Sequence, residues 1–144
     1  MTASKPLLGQ VALVVEDMAR SVAFYRRLGL CFDGPPGWLD HHVEATLPNG
    51  IRLTLDSTTL VHYYDAGWCG ARRGGPVFLI FDVPDRDAVD AHYAELTAAG
   101  AVSHQPPVDA FWGSRYAVVD DPDGNHVGLK SPEDPTYQSA PPAL

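Results

Sequence analysis

Cysteine is scarce in this chain. Cys31 and Cys69 are the only two among 144 residues, and no close Cys-x-x-Cys spacing occurs. Neither a disulfide framework nor a thiolate zinc site is indicated, and two reduced thiols are expected. Cationic residues are also few: ten Lys and Arg stand against eighteen Asp and Glu, a net charge of −8. That balance argues against a nucleic-acid partner. No apolar run approaches the ~20 residues of a membrane span, so no membrane partner is expected. The start "MTASKPLLGQ" lacks the basic beginning, apolar middle and cleavage site of a signal peptide, and the expected location is the cytoplasm. Glycine-rich phosphate loops opening a helix are missing, as is G-x-S-x-G.

What is present is an ordinary globular composition, 45% hydrophobic, enough for one domain or two half-domains sharing a core. "QVALVV" (Gln10 to Val15) reads as a buried strand. A helix follows, with Asp17 as its cap, Met18, Val22 and Tyr25 at helical spacing, and Gly29 as its stop. "HHVEATL" and "IRLTLD" alternate as strands around the turn "PNG". The glycine-rich stretch from 57 to 74 reads as a linker. The order then repeats: strand "PVFLIFDV", a helix capped by Asp85 and stopped by Gly100, and two strands around a turn in "SRYAVVDDPDGNHVGLK". The proline-rich tail 132–144 is expected to be extended or loose.

The two halves superpose as an internal repeat. Asp17 matches Asp82 at an offset of 65, whereas Gly50 and Gly124 differ by 74. The expected fold class is α+β: two βαβββ modules, about 8–56 and 75–131, forming one cupped mixed sheet around a cleft within a single domain. One oddity stands out. "DDPDGNHVGLK" runs from a turn into a strand with Gly128 in its middle. Glycine weakens a strand interior unless something must approach closely.

The segments "VALVVEDMARSVAFYRRLGL" (Val11 to Leu30) and "WGSRYAVVDDPDGNHVGL" (Trp112 to Leu129) resemble the vicinal-oxygen-chelate superfamily, the glyoxalase, bleomycin-resistance and extradiol-dioxygenase fold. With the repeat, the resemblance covers roughly residues 8 to 130. It implies four metal-ligand positions facing the cleft, one at the start of each module's first strand and one in each module's last strand. Usual occupants are His or Gln at the starts and Glu at the ends. Carried onto this sequence, they fall on Gln10, on Gly75 or Pro76, on Thr54, and on Gly128. Only Gln10 offers a usual donor. The resemblance also implies a homodimer with the cleft at or near its interface.

No metal, cofactor or catalytic residue is therefore expected. The expected partner is an aromatic small molecule, held as the superfamily's metal-free, antibiotic-sequestering members hold theirs. Trp38, Tyr63, Tyr64, Trp68, Phe111 and Trp112 fall in predicted loops or strand edges, suited to a flat guest. Thr54, His42, His126 and Tyr116 supply polar contacts, and Gly128 lets a ring lie against its strand. Duller roles compete: Trp112 as a plug, Tyr63, Tyr64 and Trp68 at a dimer interface, and Arg115 as an ion-pair partner. Asp121 and Asp123 belong to the turn. The competing functions are a metal-dependent enzyme with an atypical set of Gln10, His42 and His126, and metal-free acid–base chemistry at Glu44 or His42. His62 and His104 are placed in loops, and His92 on the second helix.

Overall fold

The β-branched run at the start forms strand β1 (Gln10–Val15), followed by helix α1 (Met18–Arg27). Asp17 caps α1 by accepting from the Arg20 amide at 3.0 Å, and Gly29 ends it at φ 89°. Strands β2 (His42–Thr46) and β3 (Arg52–Ser57) and helix α2 (Thr58–Tyr64) come next. Then follow β4 (Phe78–Asp82), α3 (Arg86–Ala98), β5 (Val102–Asp109), β6 (Arg115–Asp120) and β7 (His126–Lys130). A short 3-10 turn spans Pro135–Tyr137. This computed structural model describes residues 5, 7–66, 68–70 and 77–143. They divide into two compact units, Met1–Ala71 and Arg72–Leu144.

In unit 1 the sheet order is β1-β3-β2, with β1 parallel and β2 antiparallel to β3. Val43, Ala45, Leu53 and Leu55 alternate inward and are buried together with Phe24 and Tyr25 of α1. Leu55 and Tyr25 are fully buried, and each such side chain contributes about 1.5–3 kcal/mol. A fourth strand is reduced to one bridge, Asp33 opposite Glu44.

In unit 2 the order is β4-β7-β6-β5, with β4 parallel to β7 and the other pairs antiparallel. Ala117, Val119, Val127 and Leu129 are buried along with Val89 and Leu96 of α3. Asp85 caps α3 and Gly100, at φ 101°, closes it.

The α+β class and the two modules are as expected, with the strands hydrogen-bonded as one sheet in each unit. Four details differ. The expected linker contains α2, because Ser57 accepts from the Leu60 amide and Val61 is buried; Tyr63 and Tyr64 are thus helical. Residues 71–76 of that linker lie outside the described residues. His104 belongs to a strand, β5, which Pro106 and Pro107 disguise. The tail is tied down through residue 139. Asp134 donates its amide to the Gly113 carbonyl, Ser139 donates its own to Phe111, and the Arg86 guanidinium lies 3.6 Å from the Tyr137 ring centre. Finally, β1 and β4 begin at Gln10 and Phe78, and α1 and α3 at Met18 and Arg86, both 68 residues apart. Asp85, not Asp82, is the counterpart of Asp17.

Cys31 and Cys69 are exposed and unpaired. Among the described residues no helix is long and apolar enough to cross a membrane.

Candidate ligand-binding site

The polar residues of unit 1 gather on the sheet face opposite Leu53 and Leu55, as strand alternation requires. β3 places Thr54 and Asp56 there, both buried, and β2 places His42 and Glu44 opposite them in register. Asp56 is the hub. Its Oδ1 lies 2.6 Å from His42 Nδ1, and its Oδ2 accepts from the Tyr64 hydroxyl at 2.7 Å. A carboxylate held by two donors fixes the imidazole so that its Nε2 points away from Asp56. That nitrogen lies 3.9 Å from Glu44 Oε2. Partial burial at the hydroxyl end, then the hydrogen bond to Asp56, pushes the Tyr64 pKa up to about 12, although the residue as a whole is 59% exposed. Asp33, Gly34, Pro35, His42 and Glu44 line a groove of about 380 Å³.

Unit 2 presents an aromatic face on the side opposite Val127 and Leu129. Phe78 and Ile80 of β4 are 45% and 52% exposed on it. Tyr116 of β6 crosses β7 at Gly128: a Cβ built there would lie 3.0 Å from the Tyr116 hydroxyl and 3.2 Å from Ile80 Cγ1. The ring that rests against Gly128 is therefore the chain's own. Burial raises the Tyr116 pKa. Edge-to-face contacts join Tyr116 to Trp112 at 5.7 Å and Trp112 to Phe111 at 5.2 Å. At the other end, His126 stacks against Phe78 at 4.9 Å and against His104 at 4.1 Å.

The strand registers relocate one family ligand position. Ala12 pairs with Thr54, and Ile80 pairs with Gly128. The counterpart of Gln10 is therefore Phe78, whereas the expected Gly75 and Pro76 lie outside the described residues. The four positions are Gln10, Thr54, Phe78 and Gly128. Gln10 donates its amide to Thr54 Oγ1 at 3.2 Å, Phe78 has no donor atom, and Gly128 has no side chain. This set does not fit the divalent ion that the family uses.

The remaining candidates divide between the two units. Gln10 and His42 lie in unit 1 and His126 in unit 2. Trp38, half exposed, sets its ring edge-on to that of His41 at 6.2 Å. Tyr63 is 87% exposed on α2, and Trp68 stacks edge-on with His62 at 5.1 Å. Arg115 pairs with Asp90 at 3.0 Å and Asp109 at 3.1 Å, the structural role expected of it. Asp121 closes its turn by accepting from the Asp123 and Asn125 amides. Arg72 and Arg73 lie outside the described residues. Phe78, Ile80 and Asp120 are not among the sequence-based candidates; the inward–outward alternation of β4 and β6 is the signal that marks them.

A family model described as the Glyoxalase/Bleomycin resistance protein/Dioxygenase superfamily matches residues 7–129. An uncharacterised protein of Mycobacterium bovis is 33% identical over 135 residues, covering 83% of this chain and 80% of its own length. Among solved structures, a glyoxalase-related enzyme from Fulvimarina pelagi matches with a TM-score of 0.76 at 21% identity, over 88% of each chain. A lactoylglutathione lyase from Agrobacterium tumefaciens matches with a TM-score of 0.66 at 22% identity, over 90% of this chain and 96% of its own. These likenesses carry the fold alone. The length of the family match, over the two modules described above, makes this chain a member of the glyoxalase/bleomycin resistance/dioxygenase superfamily.

Proposed function

We propose that this chain binds a planar, largely aromatic organic molecule on the exposed sheet face of unit 2 and protects the cell by sequestering it. The observation that carries this reading is what stands at the family's ligand positions in unit 2. At these positions Phe78 presents an exposed ring and Gly128 bares its strand to the Tyr116 ring, beside the exposed Ile80 and the Trp112–Tyr116 pair. Such a surface suits ring-on-ring contact, worth about 0.5–1.5 kcal/mol per aromatic pair beyond area burial. The same reading takes the chain as a cytoplasmic homodimer. The 87% exposed Tyr63 supports an interface, and light scattering of the purified protein checks it.

The test is a tryptophan-fluorescence titration with a panel of polycyclic antibiotics, followed by release and mass analysis of the bound compound. Saturable quenching, reduced in Phe78→Ala and Trp112→Phe, with the compound recovered unchanged, is the expected result. Turnover of the compound, or no saturable binding by any of the panel, defeats the reading.

One observation favours a second reading, acid–base catalysis. Asp56 holds His42 so that Nε2 is free to take a proton from a molecule in the adjoining groove. Under that reading, turnover is found and falls in both His42→Ala and Asp56→Asn.

A further inference from the structure

We propose that unit 2 carries a binding site for a divalent transition metal of zinc-like character, made by His104, Asp120 and His126. None of these is a position the family uses. His126 lies two residue pairs along the ladder from Gly128, paired with Phe78. One donor atom from each of the three lies within 4.8 Å of the other two.

The local structure explains why they converge. Asp120 ends β6 and His126 begins β7, and the two are paired across the ladder. Their side chains meet with Nδ1 2.7 Å from Oδ1, so two donor atoms already face each other, and an ion held between them takes the place of the imidazole proton, which is released. His104 reaches them through an irregularity in β5. Ser103 pairs with Val119 and Gln105 with Val118, so His104 is the extra residue of a bulge. A bulge re-aims a side chain at the cost of a ladder pairing, and bulges cluster beside functional sites. Here the bulged residue sets its ring 4.1 Å from that of His126.

Two imidazoles and a carboxylate are the donors zinc, cobalt and nickel prefer, at about 2.0–2.2 Å from the ion. His104, the exposed member of the three, turns its ring inward to bring that spacing down to bonding distance. Three protein ligands leave a tetrahedral ion one position for water or another small ligand. The Phe78 ring packs beside the cluster, 4.9 Å from the His126 ring and 6.5 Å from that of His104.

The full chain, stripped with chelator, is titrated with Co²⁺, whose visible absorption reports coordination, and with Zn²⁺ by calorimetry. We expect one equivalent bound. His104→Ala should weaken binding by about 100-fold, since even outer partners contribute 10–100-fold. Asp120→Asn should weaken it as well, and Gln10→Ala should leave it unchanged. His104 is exposed, so its removal leaves the fold intact, as thermal melting will verify; His126→Gln is the second variant. The proposal is overturned if the wild type takes up no Co²⁺. It is equally overturned if His104→Ala and His126→Gln bind as tightly as wild type, or if Gln10→Ala abolishes binding. No organic guest enters this experiment, so its failure is separate from failure of the sequestration reading.

Discussion

Removing the Asp56 carboxylate tests the polar hub of unit 1. Asp56→Ala deletes an acceptor that is 5% exposed and takes two short hydrogen bonds. A hydrogen bond to a charged group contributes about 1.5–3 kcal/mol when its loss strands the partner. Neither partner is stranded here. Tyr64 is 59% exposed and His42 retains 27% side-chain exposure, so water replaces much of what is lost. Removing a buried charge also relieves its desolvation. The expected net cost is about 2–3 kcal/mol, of which Tyr64→Phe alone should take about 1 kcal/mol. Urea unfolding at neutral pH measures both, and the double variant gives a coupling of about 1 kcal/mol. A second readout is the Tyr64 phenol. It titrates at about 12 instead of 10.0, so its contribution to stability is whole below pH 10 and is lost as pH rises toward 12. In Asp56→Ala that window narrows from above, though not fully, because burial is the larger cause. A cost below about 0.5 kcal/mol, or strict additivity with Tyr64→Phe, would refute the hub.

Four further variants have outcomes set by the structure. Asp121→Ala removes the acceptor of two turn amides and of the Asn125 side chain; chemical denaturation should show a loss of about 2–3 kcal/mol. Gly128→Ala needs no positive φ, and the Tyr116 and Ile80 side chains must shift by a few tenths of an ångström. The backbone gain of about 0.5–1 kcal/mol and that strain offset each other, so stability should stay within about 1 kcal/mol of wild type. Gly128→Glu should sharply weaken guest binding in the fluorescence titration. Arg115→Ala breaks two partly exposed ion pairs, costs about 0.5–1 kcal/mol in thermal melts at low salt, and costs less at high salt.

The modules were legible because caps and stops are local. Asp17, Gly29, Asp85 and Gly100 mark their helices by their own chemistry. The turn at Asp121 was legible for the same reason. What escaped depends on register between distant segments. The counterpart of Gln10 is fixed by which residue of β4 pairs with Gly128 on the neighbouring β7, and the sequence offset of 65 misses it by three residues. His104 was assigned to a loop because Pro106 and Pro107 break the alternation, whereas the bulge that admits them is a property of the β5–β6 pair. Asp56 and His42 sit fourteen residues apart in sequence, and only antiparallel pairing makes them neighbours. The aromatic residues were found by type, but type does not say which way a ring points. In sequence Gly128 reads as space for a guest ring; in the structure Tyr116 fills part of that space.

Gly113 sits at φ 100°, and a Cβ there would come within 2.6 Å of the Asp134 carbonyl oxygen. The corner carrying Phe111 and Trp112 is thus clamped by chain that composition alone marks as dispensable. Whoever trims this protein after its last strand for crystallisation, or grafts its aromatic corner onto another scaffold, must carry residues 132–139 along. That segment behaves as a buttress whose removal would be felt first at the rings and only later in the core.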